Sequence, residues 1–476
     1  MANGYLLVAN SMKLHFFGGA KTVTGANYLL EVEGNPSTSL RTRNILIDCG
    51  LFQGSRDLEK RNRESFSYNA SEVDFVLITH AHLDHIGRLP KLVKEGFEGK
   101  IFATAPTIDF TRLMLEDSQK ILEEKAGREG IAPPFEHTDV EKVMSLFSSV
   151  EYDDSFEVSE GIRVCFREAG HILGSAIIEF IISNLESEKR KEIKIVFSGD
   201  LGNQYEPIIR PPAKITDADY LVVESAYGDR EHETAKKCQE MVEDVAEEII
   251  KKKGVLLIPS FALERTQELL FHFNNLVEHS KIPVLPIFLD SPLALKATEV
   301  YRKYPQYYNE ETKKLIASGD DIFKFPNLHL TATTNQSKDI SRFVPPKIII
   351  AGSGMSQGGR ILHHEANYLP DPNNILLIIS YQAQGTLGRR LKEGEKNVRI
   401  LDREIKVLAK VEKIDGYSAH ADHKMLFNWV KNSKNTLKKV FIVQGEEGPA
   451  DFLAQKIKDH LGISVEVPES NQCVEL

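Results

Sequence analysis

Four candidate metal ligands fall within six residues: His80, His82, Asp84 and His85, in Thr79-His80-Ala81-His82-Leu83-Asp84-His85-Ile86-Gly87 directly after the apolar run 74–78. Burying four such groups without a cation is costly, so the fold must end a strand there and converge the following loop on one point. Alternation sends His80 and His82 to one side, while Asp84 and His85 can turn toward a second ion. Imidazole nitrogens with carboxylate oxygens suit Zn²⁺, with Mn²⁺ or Fe²⁺ as alternatives. The competing explanation is a surface loop rich in histidine by chance.

Around the cluster, strand-like runs at 12–17, 27–32 and 44–47 end in the turns Gly18-Gly19, Glu33-Gly34-Asn35-Pro36 and Asp48-Cys49-Gly50. A helical pattern over 107–146, broken by Pro133-Pro134, separates them from strand-like segments at 162–168, 176–182 and 193–197. Strands, helices and strands again predict a layered α/β sandwich. From residue 229 the pattern changes. Residues 234–253 have the spacing of an amphipathic helix stopped by Gly254. Apolar runs then precede helices: 255–258 before one from Glu264, 284–289 before one from Ala294, and 347–351 before a glycine-rich loop. With 375–380 as a fourth buried strand, this predicts a doubly wound parallel sheet. Strand signals return at 405–411 and 439–443. The expected division is a core over 12–228, an insertion over 229–400, and the returning core over 401–476. The charge run 186–194 reads as a solvated hairpin tip.

Composition narrows the function classes. A net charge of −10 excludes a basic-tail nucleic-acid binder but not a local basic groove. No apolar run approaches the ~20 residues of a membrane span, so no membrane partner is expected. Cys49, Cys165, Cys238 and Cys473 lie far apart and read as reduced thiols. Residues 1–11 lack the pattern of an export signal and read as a dispensable extension, which makes the cytoplasm the expected compartment.

Two isolated residues sit where the cluster does, just past apolar strands: His171 in Ala169-Gly170-His171-Ile172-Leu173-Gly174-Ser175, and Asp200 in Ser198-Gly199-Asp200. With Asp48, these motifs resemble, in order, those of the metallo-β-lactamase superfamily. The resemblance implies that His80, His82 and His171 hold one zinc, Asp84 and His85 the second, and Asp200 bridges both. Asp48 would orient the histidine loop. Val222-Val223-Glu224-Ser225-Ala226-Tyr227-Gly228-Asp229-Arg230 and Gly416-Tyr417-Ser418-Ala419-His420-Ala421-Asp422 resemble the extra motifs of the β-CASP nucleases, and similarity runs from about residue 12 to the C-terminus. The implied fold is an αββα sandwich with an inserted doubly wound β-CASP domain. The implied activity is cleavage of RNA phosphodiester bonds, endonucleolytic or also 5′-to-3′, by a metal-bridging hydroxide. His420 would protonate the leaving oxygen, Glu224 would hold His420, and Asp84 could take the hydroxide's proton. Without the resemblance, Glu224 would be read as a partner of Arg230.

One position departs from the pattern. Where active relatives carry a histidine, this chain has Gln444, in Val443-Gln444-Gly445-Glu446. A glutamine carbonyl is a weaker ligand than imidazole, so two ions are expected with the second held less tightly. The alternative is a silenced RNA-binding or scaffold subunit. The loop Gly352-Ser353-Gly354 follows a buried strand, so its backbone N–H groups could cradle an RNA phosphate, with Arg360, Arg265, Arg389 and Arg390 adding charge. The third glycine of a dinucleotide fingerprint is missing, so no nucleotide cofactor is expected. Homodimerisation is common among such relatives and is carried as an expectation.

Overall fold

The structure, a computed structural model, describes residues 11–33, 41–183, 192–203 and 206–476. Nearly all of the expected N-terminal extension, turn residues 34–36 and residues 186–191 of the expected hairpin tip lie outside these. The chain forms two compact units. One takes the described parts of 1–204, 211–231 and 420–476, and the other those of 205–210 and 232–419.

The first unit holds two seven-stranded sheets. One runs, edge to edge, Gln472–Glu475, Met12–Gly18, Asn27–Val32, Arg43–Ile47, Phe75–Leu77, Lys100–Thr104 and Phe147–Val150. The other runs Ser464–Glu466, Lys439–Val443, Tyr220–Glu224, Glu192–Phe197, Ala176–Ser183, Ile162–Glu168 and Ser155–Ser159. Met12–Gly18 alternates strictly between buried and half-buried positions, the period expected of a strand with one face in a core. Its Leu14 and Phe16 join Leu30, Ile47 and Leu77 against Phe166, Phe180, Phe197 and Phe441 of the other sheet. The second sheet's outer face, with Val196, Leu221 and Ile442, is covered by Leu426, Trp429 and Val430 of helix His423–Lys431. Leu453 and Ile457 of helix Glu447–Leu461 complete that layer. Helix Ala105–Glu129 packs on strands Lys100–Thr104 and Phe147–Val150 of the first sheet. The αββα sandwich read from the sequence is present.

The second unit is built on six parallel strands in the order Leu328–Leu330, Ile287–Asp290, Lys347–Ala351, Val255–Pro259, Ile375–Ile378 and Lys410–Lys413. Its two central strands are buried at every position, which is why they read as unbroken apolar runs. The first helix is Ala235–Lys252, started by the Thr234 side chain accepting from Lys237 N–H and closed by Lys253 in the left-handed region (φ 52°). The doubly wound sheet is therefore also present. The stretch 405–411, expected as a strand of the returning core, is divided between strands Arg403–Lys406 and Lys410–Lys413, and the latter pairs in parallel with Ile375–Ile378 instead. Val407 and Ala409 lie in the same core cluster as Leu257 and Ile349. A strand pattern carries no record of which sheet it will join.

Candidate metal centre

In the first unit the chemistry-bearing residues emerge from the C-terminal ends of strands. Asp48 follows Arg43–Ile47, His80 and His82 follow Phe75–Leu77, and His171 follows Ile162–Glu168. Asp200 follows Glu192–Phe197, Glu224 ends Tyr220–Glu224, and Gln444 follows Lys439–Val443. The histidine loop is held by backbone as well as side chains. Ala26 N–H donates to the Asp84 carbonyl at 2.8 Å, and Cys49 N–H to that of His85 at 2.7 Å. Gly50 permits this approach, because a Cβ there would overlap the Asp84 carbonyl. Asp48, fully buried with φ 59°, accepts from Thr79 N–H and Thr79 Oγ1, both at 2.8 Å, and lies 2.7 Å from His85 Nδ1. Thr79 is a participant the sequence reading missed. The signal available was a hydroxyl residue between the strand and the first histidine.

His80 Nε2 and His171 Nε2 each lie 3.1 Å from His82 Nδ1. Asp200 Oδ2 lies 3.5 Å from His80 Nε2 and 3.6 Å from His171 Nε2. These four form one group capable of holding a metal ion, and Asp200, Glu224 and His420 form another. His82 is the half-buried member of an otherwise buried first group. Three imidazole nitrogens facing one another at this spacing cannot all be protonated, and a cation among them satisfies every lone pair. Asp200 Oδ1 is buried without a hydrogen-bond partner, a further acceptor aimed at no donor. The residues therefore fit a divalent metal.

Asp84 and His85 belong to neither group. His85 Nε2 lies 3.4 Å from Asp200 Oδ2 and 3.9 Å from Asp84 Oδ2, with the Gln444 side-chain nitrogen 3.0 Å away. His420 Nδ1 lies 3.1 and 3.2 Å from the two Glu224 oxygens and 4.0 Å from Asp200 Oδ2. Glu224 is fully buried and also accepts from Leu201 N–H at 2.7 Å and Ala226 N–H at 3.3 Å. Arg230, the competing partner considered for Glu224, pairs with Asp229 at 2.8 Å.

The electrostatics suit cation binding and proton transfer. Burial, reinforced by the His85 charge, holds His80 well below its ordinary pKa, as a neutral ligand requires. Burial would raise Asp200, but the His85 and His80 rings hold it well below the usual carboxylate range. Burial would lower His85, yet the Asp200 and Asp48 carboxylates raise it well above its ordinary value. Burial lifts Asp84 to about 6 and also raises Glu224. For His420, burial is outweighed by Glu224 and Asp200, which lift it to about 9.

The remaining predicted site residues lie in the other unit. Ser353 Oγ accepts from the N–H groups of Gln357 and Gly358 at 3.0 and 3.2 Å, folding the glycine-rich loop onto itself. A Cβ on Gly354 would overlap Phe261. Arg360 bonds Asp290 Oδ1 at 2.7 Å and the carbonyls of Thr331 and Ala332 at 2.9 and 3.1 Å. The other arginines expected to supply positive charge are also paired: Arg265 with Glu206 and Glu268, Arg389 with Glu393, and Arg390 with Glu395. Asp290, given no role from sequence, is fully buried and gathers Arg360, His364, Ser337 and Thr331. Its position at the end of an apolar run was the available signal.

Three family models match the chain in order. They are the Metallo-beta-lactamase superfamily domain over 39–204, the Beta-Casp domain over 266–391, and the Zn-dependent metallo-hydrolase RNA specificity domain over 404–468. Ribonuclease TTHA0252 of Thermus thermophilus is 36% identical over 437 residues, covering 92% of this chain and 94% of that protein. Transcription termination factor FttA of Methanosarcina mazei is 29% identical, covering 96% of this chain and 71% of that protein. Among solved structures, a protein of unknown function from Enterococcus faecalis V583 has a TM-score of 0.53 at 12% identity. That match covers 98% of this chain and 100% of the other, and it speaks to the fold alone.

Proposed function

The chain belongs to the β-CASP family of metallo-β-lactamase-fold RNA nucleases, and from that premise we propose that it is a zinc-dependent ribonuclease that hydrolyses RNA phosphodiester bonds by internal cutting, with 5′-to-3′ cleavage on the same site as the alternative action. The observation that carries this reading is the convergence of His80, His82, His171 and Asp200, with His420 and Glu224 alongside. When bound, the metal supplies Lewis acidity and water activation. Asp84, partly buried and lifted to about 6, is placed to receive a proton near neutral pH. Glu224 engages His420 at Nδ1, which leaves Nε2 as the atom that delivers a proton to the leaving ribose 3′-oxygen. A His420 pKa near 9 keeps that proton in place at neutral pH. Asp48 positions the loop through Thr79 and His85.

In the other unit, Gly354 offers loop backbone to an RNA phosphate beside Ser353, whose own N–H is taken by the Gly358 carbonyl at 3.2 Å, and Arg360 is anchored by Asp290. No described helix is long and apolar enough to cross a membrane. The four cysteines are unpaired, which supports a reducing, cytoplasmic compartment.

The test is cleavage of a 5′-labelled structured RNA by wild type, His82→Ala and Glu224→Gln, with metal content measured on each. Wild type is expected to cut. His82→Ala is expected to lose both metal and cutting. Glu224→Gln is expected to keep its metal and lose about 100-fold in rate, the scale of a disabled general acid. A wild type that binds the same RNA without cutting it would transfer the reading to the silenced-subunit alternative.

A further inference from the structure

Arg265, Arg360, Arg389 and Arg390 give their charge to carboxylates, but three arginines of the first unit do not. Among the described residues, Arg61, Arg63 and Arg88 form no ion pair. Their guanidinium groups donate to backbone carbonyls instead: Arg61 to Phe17 at 3.4 Å, Arg63 to Ala132 at 2.6 Å and Arg88 to Glu64 at 3.1 Å. Neighbouring carboxylates are engaged by lysines, Asp57 by Lys60 at 2.7 Å, Glu59 by Lys125 at 2.8 Å and Glu95 by Lys91. Set against Glu64, the three guanidinium groups leave an excess of positive charge.

A ladder of rings runs beside these charges. Strand Met12–Gly18 buries Leu14 and Phe16 and turns His15 and Phe17 outward, as its period of two requires. His15 stacks on Phe17 with centroids 5.6 Å apart, Phe17 lies 4.9 Å from Tyr68, and Tyr68 lies 5.1 Å from Phe66. Phe17, Tyr68 and Phe66 are each only half-buried, so the ladder reaches the surface. Arg88 is buried, with its guanidinium 4.2 Å over the Phe66 ring, and Arg61 lies 4.0 Å over Phe52. Half-exposed rings beside unpaired arginines are what a single strand of nucleic acid requires: faces for its bases and cations for its phosphates.

We propose that Phe17, Tyr68 and Phe66, with Arg61 and Arg63, form a docking surface for a single-stranded stretch of the RNA substrate, Arg88 bracing Phe66. The proposal rests on the ribonuclease reading of the metal centre and gives the RNA a place to bind outside it. The chain ties this surface to the centre. Phe52 is four residues beyond Asp48 and Arg88 three beyond His85, so each Cα lies within about 14 Å of a residue of the centre. The Arg88 N–H donates to the Cys49 carbonyl at 2.8 Å, which joins the two segments. A strand stacked on the ladder would therefore continue toward the metal centre.

The experiment is fluorescence anisotropy of a labelled single-stranded RNA titrated with the whole protein at several salt concentrations, with EDTA present to prevent cutting. Wild type is compared with the pair Arg61→Gln and Arg63→Gln, with Phe66→Leu, and with Arg128→Gln as control, an exposed arginine paired with Glu124. The arginine pair is expected to weaken binding about tenfold and to flatten the slope of log K against log[salt] by about 1.4, or about 0.7 for each lost phosphate contact. Phe66→Leu is expected to weaken binding about tenfold at an unchanged slope, the mark of one lost base stack. Arg128→Gln should match wild type. An arginine pair with wild-type affinity and slope overturns the proposal, and so does a folded Phe66→Leu with wild-type affinity. An arginine pair that keeps its RNA affinity but loses binding to polyglutamate also overturns it, and assigns the surface to an acidic polypeptide. RNA that wild type binds but never cuts when a divalent metal is supplied, with the variants binding less, would strike the ribonuclease reading and leave this surface standing. The arginine pair keeps the test valid if Phe66→Leu fails to fold.

Discussion

Replacing Asp290 by asparagine keeps the volume of the side chain and removes its charge from the middle of a buried network. Burial would raise this carboxyl. Hydrogen bonds from His364 (2.7 Å), Ser337 (2.6 Å), Thr331 (2.5 Å) and Arg360 (2.7 Å) outweigh it and hold the pKa at about 2, from 3.8. The drop corresponds to about 2.5 kcal/mol of stability at neutral pH. Because the folded value is depressed, that stability is present above the unfolded pKa and is lost as pH falls through the folded one. Stranding Arg360 without its anion adds to the loss, so we expect Asp290→Asn to cost about 3 kcal/mol. In a unit of this size that is a fall of about 6–12 °C in Tm. Thermal melts followed by circular dichroism, with hydrogen exchange of peptides spanning 347–368, would measure it. The gap between wild type and variant should narrow by about 1 kcal/mol at pH 3. A cost under about 1 kcal/mol, or a gap equal at pH 6 and pH 3, would refute the claim that this network secures the glycine-rich loop.

Two other perturbations follow from buried groups. Burial lifts Glu365 to about 8, against a bond from Ser356 at 2.5 Å, and its second oxygen is buried without a partner. The folded state then keeps a proton that the unfolded state gives up, so stability should fall as pH rises from 4.5 to about 8. Glu365→Gln should flatten that decline in urea-unfolding midpoints, and parallel curves for the two proteins would contradict it. Gly50→Ala should push the Asp84 carbonyl away and disorganise the histidine loop. It should lower metal retention at least tenfold, while circular dichroism stays near that of wild type.

The strand ends were the legible part of the centre. Polar residues immediately after apolar runs announced Asp48, His80, His171 and Asp200, and the structure brings their loops together. Glycines beside these residues let backbones approach closely, as at Gly50 and Gly202, where a Cβ would overlap the Asp84 and Gly170 carbonyls. Local pattern could not report long-range partners. Arg360 and Arg265 read as charge for a substrate, and their carboxylates lie far along the chain at Asp290 and Glu206. The contact of Gln444 with His85 was equally hidden, because the two residues lie 359 positions apart.

The spread of the centre along the chain, from Asp48 to Gln444, bears on the order in which the protein can assemble. No local segment can form the His80, His82, His171 and Asp200 group, so it closes only after distant strands have docked. The 80–85 stretch alone carries several ligands in the unfolded chain and can capture a divalent metal ion before its native partners arrive. A divalent metal ion supplied at the start of refolding would therefore compete with native assembly, and one supplied after collapse would lock it. The yield of loaded protein should depend on the moment of addition as much as on the concentration added.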